Sequence, residues 1–248
     1  DDLLEAAFAA FIREWGDYIP PEDSPKSFSN VFQALAFYLR EYPPQTDPIQ
    51  PYITADGNPA VEFTFSIPLD ISHPETGDPI LFVGRFDMLG SYNGLPCIVD
   101  EKTTGRMGSG SWALRGQFMG YCWACQQMGL PVNVAVVREI GLYAKDYRIQ
   151  EHMEQYPQHL IDRWHFQLIR DVRMMVSGYA SLITSATSQL EYNTDDHYPY
   201  NFADACTAYG GCSFANLCLA KDPSSYFSSF SHYRWNPLAK QPILELET

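Results

Sequence analysis

Apolar and polar positions along this chain fall into two rhythms, one helical and one extended. Leu3 to Trp15, which opens on the amphipathic run Asp1-Asp-Leu-Leu-Glu-Ala-Ala-Phe8, and Ser29 to Arg40 predict helices. Ala60 to Pro68, Pro79 to Gly90 and Pro96 to Thr103 are apolar, β-branched runs flanked by Gly, Pro and Asn, and they predict strands; the last two are joined through Ser91-Tyr-Asn-Gly94. Ser109 to Met128 lacks proline and carries Trp112, Leu114, Phe118, Tyr121, Cys122, Cys125 and Met128 at roughly helical spacing, with Gly129 and Pro131 to stop it. A strand at Val132 to Tyr143 is expected to pair with Lys145 to Gln150. A long helix from about Gln158 to Leu190 follows, whose Leu160, Ile161, Trp164, Leu168, Val172 and Met175 suit a helix that covers a sheet. The pattern predicts an α/β fold with a mixed central sheet and helices on both faces.

Turn-rich polar segments mark linkers at Tyr42 to Pro48, Ser72 to Pro79 and Asn193 to Asn201. They divide the chain into an N-terminal helical segment (1–58), a core with its covering long helix (59–190) and a cysteine-containing tail (191–248) that packs on the core. A chain of 248 residues with 46% hydrophobic content buries one sizeable core. No run approaches a membrane span, so no membrane partner is expected. No signal peptide is visible, and six cysteines in a chain of this length fit a reducing, cytoplasmic setting better than a disulfide scaffold.

Polar residues set inside the apolar strands carry the chemistry. Gly84-Arg-Phe-Asp87, Ile98-Val-Asp100-Glu-Lys102-Thr and Gln117-Phe-Met-Gly-Tyr121 follow one another in that order. A strand alternates its faces with period two, so Asp100 and Lys102 project to one side and Val99, Glu101 and Thr103 to the other; Arg85 and Asp87 likewise share a face. On neighbouring strands Asp87 and Asp100 converge on one cation, with Lys102 beside them. Two carboxylates with open water positions suit Mg²⁺ or Mn²⁺, an ion that polarises a phosphodiester and lowers the pKa of bound water; the lysine positions that water or neutralises developing charge. Gln117 and Tyr121, four apart, share a helix face. Taken singly, each motif also has a plain structural reading: an Asp at a turn, an Asp-Glu-Lys run as a solvated ion-pair cluster, Tyr121 as a core aromatic with a satisfied hydroxyl. Their order favours the site, because acids on adjacent buried strands need a cation.

Gly-x-x-Asp, Asp-x-Lys-Thr and Gln-x-x-x-Tyr in this order resemble the PD-(D/E)XK nuclease superfamily, in its RecB-type branch, which includes CRISPR-associated and phage exonucleases. The resemblance covers roughly Ala60 to Leu142. It implies a restriction-endonuclease-like core in which Asp87 and Asp100 bind the metal, Lys102 is catalytic, and Gln117 and Tyr121 contact DNA or brace the site. Val61-Glu62-Phe-Thr-Phe resembles the strand that opens this core in several relatives, which makes Glu62 a weaker third ligand. Many such relatives carry a His in a helix upstream of the first core strand, and residues 1–58 contain none. Either the site works without that ligand or the matching helix is expected before residue 1. His73 falls in a Pro- and Gly-rich loop, where a surface role is expected.

Cys206, Cys212 and Cys218 form a second signal, with a Gly-Gly turn between the first two. Their spacing is wider than a zinc knuckle but compatible with thiolate ligation. RecB-type nucleases with an iron–sulfur cluster use one cysteine upstream of the core and three near the C-terminus. The resemblance therefore implies a 4Fe–4S cluster whose fourth ligand is not visible here; the spacing itself leaves open zinc, or ordinary thiols with no centre at all. Cys122 and Cys125 make a Cys-x-x-Cys on a helix facing the core, where neither redox activity nor zinc binding is expected.

A formal net charge of −14 opposes binding to a polyanion. Arg85, Lys102, Arg106 and Arg115 cluster in sequence around the site and supply a local basic track; a protein partner in a recombination or replication complex would add more. The expectation is a metal-dependent DNA nuclease acting on ends or single strands, in a bacterial or phage-infected cell. Two alternatives compete: a non-catalytic nucleic-acid-binding or assembly module with an iron–sulfur or zinc staple, and an unrelated carboxylate-dependent hydrolase of a small substrate.

Overall fold

A computed structural model describes residues 2–21, 24–105, 107–108, 112–143, 146–188, 206–207 and 211–231. Helices α1 (Asp2–Trp15) and α2 (Phe28–Glu41) come first, then strands β1 (Ile49–Pro51), β2 (Val61–Ser72), β3 (Pro79–Tyr92) and β4 (Leu95–Thr104). Helix α3 (Gly116–Gln127), strands β5 (Val134–Leu142) and β6 (Tyr147–Gln155), and helix α4 (Gln158–Ser188) complete the main series. A short α5 (Ala215–Leu219) and a 3-10 turn (Pro223–Ser229) close the described chain. Two compact units emerge. The first comprises residues 2–67 and 82–166, the second 68–81 and 167–231.

Six strands form one mixed sheet among the described residues, in the order β1-β3-β4-β5-β6, with β2 paired to β3. β3 and β4 run antiparallel from Met88–Val99 to Tyr92–Leu95 through Asn93-Gly94, both at positive φ (49° and 83°), the geometry that a two-residue hairpin turn demands. β4 and β5 run parallel, pairing Ile98 with Ala135 through to Thr104 with Gly141, with α3 as the crossover. β1 was not foreseen: three residues ending in Pro51 carry too little pattern, and the strand exists because β3 offers it an edge. Helix α3 is shorter than expected. It begins at Gly116, because Arg115 takes an extended conformation (ψ 113°) that helical spacing alone does not register.

The two faces of β4 meet different helices. Gln117 on α3 reaches Asp100, and Tyr38 on α2 reaches Glu101, so helices cover both faces of the sheet. Below α2 lie Ile49, Cys97, Val99, Val134 and Val136, all buried. α1 caps α2 with an aromatic stack, Phe8 on Phe32 at 4.3 Å and Phe11 against Phe28 at 5.2 Å. α3 is buried nearly all round: Phe118, Met119, Cys122, Trp123, Ala124 and Cys125 are inside, which is why it lacks a clear polar face. Trp164 of α4 lies directly on Gly120, where a Cβ would stand 2.7 Å from the indole.

That contact makes a prediction. Alanine ordinarily strengthens a helix interior relative to glycine, but at Gly120 it must displace a ring held between Phe82 and Trp123. Gly120→Ala is expected to lower stability by about 1–3 kcal/mol, read as a lower urea midpoint with an unchanged denaturant slope.

Candidate metal and catalytic site

β4 supplies the centre of the site because its alternation puts a carboxylate where the hydrophobic pattern puts a core residue. Asp100 follows Ile98 on the α3 face and is 1% exposed. Lys102, two residues on, donates from Nζ to Asp100 Oδ1 at 2.9 Å. Nζ also stands 2.8 Å from Oδ2 in an ion contact that lacks hydrogen-bond direction, so the buried Oδ2 makes no hydrogen bond among the described residues. Gln117 Nε2 donates to Asp100 Oδ1 at 3.1 Å and lies 3.4 Å from the Tyr121 hydroxyl. The Tyr121 hydroxyl donates to the Arg85 carbonyl at 2.7 Å, tying α3 to β3. Its ring packs edge-on against Phe86 at 4.9 Å.

Asp87 stands beside Asp100. The β3–β4 pairs stop at Met88–Val99, one residue short of both acids, and Asp87 is near enough for its charge to act on Asp100. There the Glu101 amide donates to Asp87 Oδ2 at 3.2 Å. Burial pushes the Asp100 carboxyl above its ordinary range; Lys102 pulls it back and Asp87 pushes it further up. Burial also raises the Tyr121 phenol, which therefore stays protonated at neutral pH.

Gly84 of the Gly-x-x-Asp motif serves packing rather than chemistry. A Cβ there would stand 2.4 Å from Phe65 Cζ. Phe65 in turn touches Phe86 at 4.9 Å and Tyr121 at 6.0 Å, so this glycine lets the aromatic floor beneath Tyr121 lie flat on β3.

The structure thus gathers Asp87, Asp100, Lys102, Gln117 and Tyr121. It directs Glu62 elsewhere: Glu62, at the unusual φ of 51°, pairs with Arg85 Nε at 2.9 Å, with both side chains half exposed or more. Among the described residues, no three His, Cys, Asp or Glu side chains stand together as a metal-binding group. Arg115 lies over the Trp112 ring at 5.2 Å, at the start of α3. Arg106 lies outside the described residues. His73 is a turn residue whose Nδ1 accepts from the amides of Glu75 and Thr76. Cys122 and Cys125 are fully buried, and burial pushes the Cys122 thiol up to about 12 and Cys125 up as well, so both remain protonated core groups. Cys206, Cys212 and Cys218 are exposed in the second unit, where the Cys212 amide donates to the Cys206 carbonyl at 3.0 Å.

The other face of β4 holds a network that the motifs did not announce. Arg138 of β5 is 1% exposed, yet all five of its N–H groups have acceptors. Nε and Nη2 donate to Glu151 Oε1 at 3.0 and 2.6 Å. Nη1 and Nη2 grip Asp47 in a fork at 2.8 Å each, and Nη1 also donates to the Tyr38 hydroxyl at 2.7 Å. Burial would lower the Arg138 pKa, but the bonds to Asp47 and Glu151 and the nearby Tyr38 raise it, which keeps the guanidinium charged. Tyr38 passes its own proton toward Glu101 Oε1 at 2.5 Å. A lone arginine in the run Val134-Ala-Val-Val-Arg138-Glu-Ile was the available signal, since a buried guanidinium must be paired. On the α3 face of the same strand, Glu139 pairs with His152 at 2.9 Å.

No protein-family model matches the chain, and no curated protein does. Among solved structures, one titled "Crystal structure of SSO0001" is similar at 14% identity, covering 68% of this chain and 86% of that one with a TM-score of 0.32. A likeness at that level supports no inference about fold or function.

A raised carboxyl fixes the sign of one pH effect. Because the folded-state pKa of Asp100 lies above its unfolded value, its contribution favours the fold below the unfolded pKa and is lost as pH rises through the folded one. Asp100→Asn, which keeps the acceptor for Lys102 and Gln117, is therefore expected to melt roughly 2–4 °C higher than the parent near neutral pH in metal-free buffer. The gap should narrow as pH falls through the carboxylate range, as measured by thermal unfolding across a pH series.

Proposed function

We propose that this chain is a divalent-metal-dependent DNA nuclease of the PD-(D/E)XK type, close in kind to RecB-like exonucleases, that hydrolyses phosphodiester bonds at DNA ends or in single strands. The observation that carries the reading is Asp100: a carboxylate buried to 1% exposure, with one oxygen lacking a hydrogen bond, a second carboxylate near it on the neighbouring strand and a lysine two residues along. A buried anion of this kind is costly unless it is compensated, and one ammonium that is 39% exposed compensates it only in part.

The donor set fits a hard cation. Asp87 and Asp100 would hold Mg²⁺ or Mn²⁺, both of which prefer carboxylate oxygens and keep several waters. When bound, such an ion supplies Lewis-acid polarisation of the phosphodiester and a more acidic water. The chain's own residues account for the remaining work. Lys102, on the same face as Asp100, is set to orient the attacking water and neutralise charge that builds on the phosphoryl oxygens. Gln117 holds Asp100 Oδ1, and with Tyr121 it locks α3 against β3 so that the carboxylates keep their separation.

Charge shapes how such an enzyme meets its substrate. Net −14 disfavours DNA at long range, and Arg85 is already paired with Glu62. Weak intrinsic affinity with steep salt dependence follows, as does a role for a partner that brings basic surface.

Cleavage of end-labelled single- and double-stranded DNA with Mn²⁺, Mg²⁺ or EDTA tests the reading. Metal-dependent cutting is expected, and Lys102→Ala or Asp100→Ala should lower its rate by about 10²- to 10³-fold or more while the variants stay folded by circular dichroism. A folded parent that binds DNA but never cuts it under any of these metals would leave the non-catalytic binding module in its place.

A further inference from the structure

The site and the Arg138 network are joined through one residue, Glu101. Its two neighbours, Asp100 and Lys102, face α3, while its own side chain faces α2. Its backbone is in an unusual position. The antiparallel pairs between β3 and β4 end at Met88–Val99, so the Glu101 amide donates not to a β3 carbonyl but to the Asp87 carboxylate, at 3.2 Å. The direction of Asp87 Oδ2 is thus set by the position of the Glu101 amide. That position is held on the far side by the Tyr38 hydroxyl, 2.5 Å from Glu101 Oε1. Tyr38 in turn accepts from Arg138, which is itself clamped by Asp47 and Glu151 and stacked 3.9 Å from the Tyr42 ring.

We propose that Tyr38 and Glu101 are positioning residues: anchored by Arg138, they fix the Asp100-Glu101-Lys102 segment of β4 and so aim the carboxylates of Asp87 and Asp100 at a shared cation. The purpose of this device rests on the nuclease reading above; the device itself is a mechanical coupling across the strand. Losing an outer partner of a metal-binding carboxylate typically costs about 10- to 100-fold in metal affinity. Here such partners also close a gap that the sheet ladder leaves at the site.

Two readouts separate the device from its purpose: hydrogen exchange of the Glu101 amide, followed by NMR without metal, and Mn²⁺ affinity, followed by electron paramagnetic resonance. In Tyr38→Phe and Glu101→Ala the backbone amide at position 101 is expected to exchange about 10-fold faster or more, while amides of β6 keep their protection. Mn²⁺ affinity should fall about 10- to 100-fold. Glu101→Gln keeps an acceptor for Tyr38 and should retain most of both. Unchanged protection of the position-101 amide in Tyr38→Phe and Glu101→Ala overturns the proposal. So does a uniform loss across all strands, which would make Tyr38 a general stabiliser, and so does Glu101→Gln behaving like Glu101→Ala. If protection falls locally but the parent neither binds Mn²⁺ nor cuts DNA, the coupling stands and the nuclease reading fails.

Discussion

A guanidinium cannot shed its charge inside a protein, so wherever Arg138 is buried the surrounding structure has to supply acceptors for five N–H groups. That constraint draws in Asp47 from the segment before β1, Tyr38 from α2, Glu151 from β6 and, through Tyr38, Glu101 from β4. Removing one partner from such a set leaves a buried charge uncompensated, which costs far more than the pair contributes. The network thereby fixes which helix lies on which side of the sheet. The strand it reaches from one face carries Asp100 and Lys102 on the other.

The site is built against the grain of folding. A core position on the α3 face of β4 holds Asp100, directly after the buried Ile98 and Val99. Desolvation pushes its carboxyl up, and Lys102 offsets only part of that. A local cost of this kind has to be recovered elsewhere in the fold. Here the recovery comes from the aromatic floor of Phe63, Phe65 and Phe86 and from the close seating of Trp164 on α3. Gly84 and Gly120 both serve that packing, so two of the glycines in the motif region act through the space they leave open.

The two faces of β4 divide the labour. One presents the Asp100 carboxylate and the Lys102 ammonium toward α3; the other presents Glu101 to Tyr38 of α2. Single-residue alternation makes both possible within three consecutive positions, Asp100, Glu101 and Lys102. Helical positions are less exacting: Gln117 and Tyr121 reach the same region from one turn of α3 because residues four apart lie on one face.

Much of this was legible in the residues alone. Period-two and period-3.6 patterns determine the mixed α/β class, five of the six strands and four main helices, because burial of one face leaves a periodic trace. Alternation also determines that Asp100 and Lys102 share a side and Glu101 does not, since that depends only on strand geometry. Tertiary structure alone decided the rest. It brought β3 beside β4 so that Asp87 acts on Asp100, and it placed Glu62 against Arg85 rather than with the other carboxylates. It created β1 by offering an edge, and it assembled Arg138 with Tyr38, Asp47 and Glu151 across up to 100 positions of chain. Long-range partners of this sort leave no local period, because each is chosen by what lies across the sheet and not by its neighbours in the chain.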